Sequence, residues 1–290
     1  MVTNRCVRCG GVNIDRGQCR DCAYAPQHID GFDCYAPELA SLGAGYDANH
    51  YRVLAALESR NFWFRARNAL ILNVLRKYAP SMHRFLEIGC GTGYVLSAVR
   101  NAYPRTEVVG SEIFVEGLRH AAERLSSARL VQMDARAIPY TGYFDVIGAF
   151  DVIEHIKEDV RVLAETHRAL VDNGILVLTV PQHPWLWSVQ DEHAHHVRRY
   201  TRDELVDKVR EAGFQILKVT SFVTLLLPLM MLSRMRKTDP AHPTDPFREF
   251  QIPRWLDQIL YAAMSLDVAL VKLGITLPVG GSLLLVARKA

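Results

Sequence analysis

The sequence of 290 residues is long enough for one large domain with additions or for two modest domains. Apolar residues make up 49% and charged residues 22%, which is enough for a full core and excludes wholesale disorder. The formal net charge of +3 is too small to indicate a nucleic-acid partner by itself. The first five residues lack the apolar core of a signal peptide, and no run reaches the length of a membrane span, so we expect a cytoplasmic protein.

Four of the six cysteines form two C-x-x-C pairs near the N-terminus. Two such pairs can bring four thiolates to one tetrahedral zinc ion, each pair from a tight turn. Because a four-sulfur site is closed, the predicted role of the zinc is structural and not catalytic. Redox-active or disulfide-bonded cysteines are the alternative, and His28 lies close enough in sequence to replace one thiolate. We assign residues 1–30 to this zinc-binding knuckle, with the ligands Cys6, Cys9, Cys19 and Cys22.

Residues 31–80 are expected to hold a linker and the helices that precede the first core strand. Proline and glycine residues between 24 and 46 predict an irregular segment that packs on the surface. From His50 to Tyr78, apolar residues recur at helical spacing. Within this stretch an aromatic cluster lies among arginines, and core packing is its simplest interpretation.

A short apolar strand, Phe85–Ile88, leads into a glycine-rich turn. Gly89, Gly91 and Gly93 allow a sharp turn against which a ligand can lie, and the helix behind it offers unpaired N–H donors. A dinucleotide fingerprint needs a glycine where this chain has Tyr94, and a P-loop needs a lysine after the last glycine, so both fit poorly. A glycine turn without a ligand is a further alternative.

The pattern that remains is E-x-G-x-G-x-G, which resembles the first motif of the class I S-adenosylmethionine (SAM) dependent methyltransferases. An acidic residue ahead of the glycines suits a cationic ligand better than a phosphate. Glu112 ends the second strand, where a carboxylate can accept hydrogen bonds from both ribose hydroxyls. The resemblance implies that Asp134, after the third strand, contacts the adenine amine, and that a helix before the first strand covers the cofactor. The predicted cofactor-binding residues are Glu87, Gly89, Cys90, Gly91, Gly93, Glu112, Ile113, Asp134, Ala135 and Asp151.

Strands alternate with helices over residues 81–221, and a last strand follows at 281–290. This rhythm predicts an α/β fold with a doubly wound, Rossmann-like, seven-stranded sheet. The fourth strand, 143–150, should lie beside the switch point where such sheets bind ligands, so the acids after it indicate site residues. Many small-molecule methyltransferases carry an acid–histidine pair at this point.

The loop after the fifth strand is rich in histidine and is expected to lie over the cleft. Its run from His196 to Thr201 resembles one in ubiquinone-type methyltransferases. We take His155, His196 and Asp151 as candidate catalytic residues, with the two histidines as base or acceptor contact. A metal site from His193, His195 and His196 is an alternative, although neighbours in sequence point apart, and a solvated loop without a role is another.

Residues 222–280 form an insertion before the last strand that is far longer than a usual loop. The run 222–237 is apolar and ends in a basic cluster, and an apolar helix follows at about 254–273. Such a segment can dock on an anionic membrane or bind a lipid-like acceptor. Burial within the protein or in a homodimer interface is the alternative.

The sequence therefore predicts a SAM-dependent methyltransferase that acts on a small-molecule or lipophilic acceptor. Adenine-amine methylation of nucleic acid is disfavoured because the Asn/Asp-Pro-Pro-aromatic motif is missing after the fourth strand, and cytosine C5 methylation because no cysteine follows Cys90. Ribosomal RNA guanine methylation is the nearer alternative, since enzymes of that kind also place a four-ligand zinc knuckle before a SAM domain. A zinc-bearing scaffold that binds SAM without catalysis is the alternative from another class.

Overall fold

The structure, a computed structural model, describes residues 4–40, 48–235 and 252–290. Its strands are β1 (Ile14–Asp15), β2 (Gln18–Cys19), β3 (Gln27–Ile29), β4 (Phe32–Cys34), β5 (Arg84–Ile88), β6 (Glu107–Glu112), β7 (Arg129–Gln132), β8 (Phe144–Phe150), β9 (Leu170–Pro181), β10 (Phe214–Phe222) and β11 (Ser282–Lys289). Its α-helices are α1 (Pro37–Ala40), α2 (Ala48–Leu57), α3 (Phe62–Tyr78), α4 (Tyr94–Ala102), α5 (Val115–Arg124), α6 (Asp159–Ala169), α7 (Val189–His193), α8 (Arg202–Glu211), α9 (Leu227–Met235) and α10 (Arg254–Lys272). Short 3₁₀ helices span Ile153–His155 and Pro184–Leu186.

Nine of these strands form one sheet in the order β10-β11-β9-β8-β5-β6-β7-β4-β3. The pairings from β9 through β4 are parallel, whereas β11 is antiparallel to both of its neighbours and β3 is antiparallel to β4. The seven strands from β5 to β11 are the ones that the sequence predicts. The doubly wound α/β fold is therefore confirmed, and its cleft lies where the parallel strands end.

The core has two layers because successive side chains of a strand point to opposite faces of the sheet. Leu86 and Ile147 belong to the layer covered by α6 and α8, while Phe85 and Val146 belong to the layer covered by α3, α4, α5 and α10. All four side chains are buried. Helices on both faces leave the ends of the strands as the place where a ligand can reach the main chain.

Part of the stretch predicted to be an irregular linker is regular structure. Residues 27–34 form the hairpin β3–β4, which adds two strands to the edge of the sheet beside β7. Its turn is Asp30-Gly31, with φ of +53° and +88°. This dipeptide is a strong hairpin signal, and the prediction of an irregular segment is wrong here because strands of three residues are too short to show an alternating pattern.

The boundary between α6 and the fifth core strand also differs from the prediction. The sequence places a turn at Val171–Gly174 and starts the strand at Ile175, but β9 begins at Leu170. The pairing with β8 moves from Leu170 directly to Ile175, so the four residues between them bulge out of the ladder. Asn173 takes a φ of +62° in this bulge, which accounts for the turn-like sequence.

The insertion packs on the helix that precedes the core. The side chain of Asn61 caps the start of α3 by accepting a hydrogen bond from the Trp63 amide at 2.9 Å. α10 lies along α3, where Asp257 accepts a hydrogen bond from Arg65 at 2.9 Å. The Arg65 guanidinium also lies 4.0 Å from the centre of the Tyr261 ring. In the ranges that the structure covers, none of the helices combines the length and the apolar character that a bilayer span requires.

Several sequence predictions fall on other parts of the chain. Of the basic cluster Arg234, Arg236 and Lys237, only Arg234 lies within the described residues. The end of the predicted linker, 41–46, and the proline-rich stretch 238–246 also lie outside them.

Candidate active site

The glycine turn after β5 has the backbone that its composition predicts. Gly89, Gly91 and Gly93 have φ of +66°, +51° and +74°, a region that side chains disfavour. A Cβ on Gly89 would lie 2.5 Å from the Val152 side chain, whereas a Cβ on Gly91 would have nothing within 4 Å. Gly89 is therefore required by packing, and Gly91 borders open space in which a ligand can lie against the main chain.

Glu112 ends β6 beside this turn. Its carboxylate accepts hydrogen bonds from the Gly91 amide at 2.9 Å and from the Ile113 amide at 2.8 Å. Burial raises the pKa of Glu112, and these backbone donors oppose the rise by stabilising the charged form. Oε1 also accepts a hydrogen bond from the Phe114 amide at 3.4 Å, so Oε2, which accepts from Gly91, is the oxygen that keeps the capacity to bind a hydroxyl at the turn.

Glu87 is a buried acid at the end of β5. The side chain is 3% exposed, and its Oε2 has no hydrogen-bond partner among the described residues. Burial raises the pKa of Glu87 well above its ordinary value, and the cation of Arg67 opposes that rise. An unpaired buried carboxyl oxygen at the start of the glycine turn fits the ammonium group of a cationic ligand such as SAM.

Arg67 is a residue of α3 that the sequence analysis did not single out. It forms an ion pair with Asp151, and its guanidinium lies 4.4 Å from the centre of the Trp63 ring. Asp151 follows the central strand β8 with a φ of +58°, a conformation that is strained for a residue other than glycine. The predicted acid therefore lies at the cleft, but it is neutralised by an arginine from α3.

A second contact joins the N-terminal helices to the glycine turn. Glu58, just after α2, accepts hydrogen bonds from the Thr92 hydroxyl at 2.6 and 2.7 Å and from Arg124 at 2.8 Å. Together with the Arg67–Asp151 pair, this contact holds α2 and α3 over the turn. The arginines among the aromatic residues of α3 were the sequence signal for Arg67, but its partner is 84 residues away and no local pattern identifies it.

The side chains of three further predicted cofactor residues are already engaged within the protein. The side chains of Cys90 and Ala135 are buried in the two core layers, so only their main chain is left for cofactor contact. Asp134 follows β7 as predicted, but its carboxylate is held by the Arg136 side chain at 2.8–3.0 Å. An adenine amine at Asp134 would share the carboxylate with this arginine.

On the other side of Asp151, Glu154 and His155 meet His196 from the loop after β9. The Glu154 side chain is fully buried, and neither of its carboxylate oxygens has a hydrogen-bond partner in the described parts of the chain. The Nε2 of His196 lies 4.0 Å from Glu154 Oε1, and the two imidazole rings are 4.7 Å apart at their centres. Burial and the neighbouring His196 lower the pKa of His155 to about 4, so His155 is neutral at physiological pH.

Asp191, which the sequence analysis did not select, orients His196. Its Oδ1 lies 2.9 Å from His196 Nδ1 and 2.7 Å from Arg199 Nε. Burial alone would raise the pKa of Asp191, but these two partners outweigh it and lower the pKa to about 2. An ionised Asp191 favours the tautomer with a proton on Nδ1, which leaves the Nε2 lone pair facing Glu154. His193 and His195, the other two members of the predicted histidine metal site, are not part of this cluster.

The N-terminal cysteines come together as predicted. The four sulfurs lie within 4.8 Å of one another, and the pairs Cys6–Cys22 and Cys9–Cys19 are 3.6 Å apart, which suits the corners of a tetrahedral zinc site. His28 instead faces Asp33 on the hairpin β3–β4. Asn4 exchanges two hydrogen bonds of 2.7 Å with Thr141, just before β8 begins. The knuckle thus packs near the start of β8, at the opposite edge from the glycine turn.

Comparisons with known proteins agree with this geometry. A family model described as "Methyltransferase domain" matches residues 58–219. A protein of Mycobacterium tuberculosis named as a probable S-adenosylmethionine-dependent methyltransferase is 26% identical over 201 residues, which cover 68% of this chain and 71% of the relative. A malonyl-[acyl-carrier protein] O-methyltransferase of Legionella pneumophila is 30% identical over 129 residues, 41% of this chain and 45% of the relative. The solved structure of phosphoethanolamine N-methyltransferase 2 of Haemonchus contortus with SAM has a TM-score of 0.58 at 16% identity, over 85% of this chain and 58% of that one, and so shares the fold.

Proposed function

This chain belongs to the methyltransferase-domain family and is a SAM-dependent methyltransferase, and from that premise we propose that its acceptor is a small or lipophilic molecule. The acceptor would bind between the glycine turn and the loop that carries His196. SAM supplies an electrophilic methyl carbon: the acceptor's lone pair forms the new bond while the carbon–sulfur bond breaks and its electrons stay on sulfur. The protein aligns the two reactants and removes the acceptor's proton where necessary.

The cofactor roles follow from the placement of the acids. Glu112 would accept hydrogen bonds from the ribose hydroxyls, because it already lies against the Gly91 amide. Glu87 would face the methionine ammonium, and the Asp151–Arg67 pair would border the same end. His196 is the candidate base, since Asp191 holds its Nδ1 and leaves Nε2 to take the proton. His155, which burial keeps neutral, would contact the acceptor.

The observation that carries the acceptor class is the contact between the insertion and the histidine loop. Arg234 of α9 donates a hydrogen bond to the carbonyl of Leu186 and lies 3.6 Å from Asp191. This contact places α9, with the exposed side chains of Leu229 and Leu232, beside the loop that bears His196. Apolar side chains on a helix that contacts the loop of the candidate base favour an acceptor with an apolar part.

The exposed face of α10 supports contact with an anionic membrane in addition to the predicted segment 222–237. The side chains of Trp255, Ile259 and Leu266 are exposed on this face. The first and last residues of the helix, Arg254 and Lys272, are exposed cations. Both acids of the helix point into the protein and are buried: Asp257 and Asp267. An apolar stripe with cations and without exposed acids complements a surface of anionic lipid.

The acceptor class is tested with labelled SAM. Calorimetry with SAM and S-adenosylhomocysteine first establishes binding, and then RNA, organic-extractable and small-metabolite fractions of the source cell are incubated with the full chain. Label in the organic-extractable or small-metabolite fraction is the expected result, and the variant His196→Asn should lose most of it. The exposed His28 provides the matched control His28→Asn, which should keep it. Label in RNA alone would support the ribosomal RNA alternative, and binding without transfer would support the non-catalytic scaffold.

The membrane contact has its own test. The variant Ile259→Glu/Leu266→Glu should bind vesicles of mixed neutral and anionic lipid at least about tenfold more weakly than wild type, since each side chain loses about 1.5 kcal/mol or more of burial. Val160 on α6 is 45% exposed, and Val160→Glu is the control that should bind normally. Equal vesicle binding of all three proteins, or a wild-type dimer that the double variant converts to a monomer, would contradict the membrane contact.

A further inference from the structure

The three side chains Glu154, His155 and His196 have the composition of a metal site that is separate from the cysteine knuckle. One ligand atom from each, a carboxylate oxygen and two imidazole nitrogens, lies within 4.8 Å of the others. Two histidines with one carboxylate form a ligand set that suits divalent transition metals, with coordination positions left open. Mg²⁺ and Ca²⁺ prefer oxygen ligands and fit this set less well.

The carboxylate of Glu154 is buried without a partner for either oxygen among the described residues. Glu154 is 0% exposed. A buried carboxyl group without partners costs free energy unless something satisfies it. A cation bound between Glu154 and the two imidazoles would satisfy both oxygens or hold one and orient the other.

The surroundings of His196 include the carboxylate that usually orients a metal-binding histidine. A metal-bound imidazole usually donates its other N–H to a carboxylate, and Asp191 lies 2.9 Å from His196 Nδ1. The two ligand-bearing segments are also fixed to each other, because the Val197 amide donates to the Glu154 carbonyl at 2.8 Å. Ligands bonded to one ion at about 2.0–2.2 Å lie roughly 3.0–3.4 Å apart, so the side chains would have to close by about 1 Å.

We propose that Glu154, His155 and His196 bind one divalent transition-metal ion at the acceptor side of the cleft. The binding site stands on the geometry alone, whereas its role rests on the proposed function. An ion held there would coordinate an oxygen of the acceptor and lower its pKa, so that the proton passes to solvent before methyl transfer. His196 would then act as a ligand and not as the base.

The test titrates the full chain, loaded with one zinc ion per chain so that only the cysteine knuckle is filled, with Mn²⁺, whose free form is followed by electron paramagnetic resonance. Wild type should bind one Mn²⁺ per chain, and Glu154→Gln and His196→Ala should each bind at least about tenfold more weakly. His193→Ala is the matched control from the same loop and should bind like wild type. No saturable binding in wild type, or unchanged binding in both ligand variants, would overturn the site.

A second measurement does not depend on how the variants fold. Mn²⁺ bound to wild type should show magnetic coupling to imidazole ¹⁴N nuclei in pulsed spectra, and its absence would also refute the proposal. Neither measurement uses SAM or an acceptor. A failed Mn²⁺ test would therefore leave the methyl-transfer proposal untouched, and a protein that binds Mn²⁺ but transfers no methyl group would refute only the latter.

Discussion

The glycine turn allows a comparison in which the same substitution has different consequences at two positions. Gly91→Ala and Gly142→Ala both add a Cβ at a positive φ, +51° and +54°, and neither Cβ would lie within 4 Å of any residue beyond its two chain neighbours. Each variant should lose about 1–2 kcal/mol of stability, because side chains disfavour the left-handed conformation. For a chain of this size that corresponds to a fall in melting temperature of about 2–4 °C for each kcal/mol.

The two variants should differ in SAM binding. The open space at Gly91 is where we place the cofactor, so its new methyl group must be accommodated by a close-packed ligand, at a cost of about 1–3 kcal/mol. That cost weakens SAM binding about 5- to 150-fold. Gly142 lies in the exposed turn before β8, away from the cleft, so Gly142→Ala should bind SAM like wild type.

Isothermal titration calorimetry with SAM, together with thermal unfolding of the same samples, separates the two effects. Gly89→Ala is a third variant for this series, because its Cβ would strike the Val152 side chain at 2.5 Å and should lower stability further. The placement of SAM at Gly91 is refuted if Gly91→Ala melts lower but binds SAM as tightly as wild type. It is also refuted if Gly142→Ala weakens SAM binding as much as Gly91→Ala does.

Three further predictions test the electrostatics and the knuckle. Glu112→Gln should weaken SAM binding at least about tenfold in calorimetry, because charge-assisted hydrogen bonds are worth about 1.5–3 kcal/mol. The control Glu116→Gln, at a half-buried acid of α5 that pairs with Arg119, should not weaken it. Burial alone would raise the pKa of Asp159, but hydrogen bonds from Lys208 and Tyr200 at 2.7 Å outweigh it, so the pKa lies below its ordinary value. The stabilisation of the folded state by ionised Asp159 is complete above pH about 4 and is lost as the pH falls through the lowered pKa. In urea unfolding at pH 7, Asp159→Asn should therefore cost about 3 kcal/mol, with a weaker acid dependence than wild type; an unchanged midpoint would contradict the pairing. Cys9→Ser should lose one zinc equivalent by elemental analysis and melt lower while it keeps its affinity for SAM, and a large loss of affinity would mean that the knuckle acts on the cleft.

The parts of the site that the sequence could predict are those that depend on neighbouring residues. The glycines after β5 and the acid that ends β6 follow from strand–turn–helix patterns, because main-chain conformation there is determined locally. Cys90 and Ala135 belong to the same local segments, but a turn does not reveal where each side chain points. Both point into the core, as their apolar character would have allowed one to expect.

The residues that sequence reasoning missed are partners across long separations. Arg67 meets Asp151 because α3 packs across the end of β8, and Glu58 meets Thr92 because α2 covers the turn. Asp191 lies only five residues from His196, but their pairing depends on the turn of the chain after α7. Opposite charges are frequent in any sequence, so only the packing of the helices selects which of them meet.

The hairpin β3–β4 has a consequence for work with shortened versions of this protein. β4 pairs with β7 through two residue pairs. In addition, the side-chain amide of Gln132 in β7 exchanges hydrogen bonds with the main chain of Ala36 at 2.7 and 3.0 Å. A fragment that starts after residue 40 would leave the edge of β7 bare, with amide and carbonyl groups ready to pair with another molecule. Removal of the N-terminal cysteine-rich region would thus expose the edge of β7, which the hairpin covers in the full chain. We expect such a fragment to self-associate even if it keeps its activity.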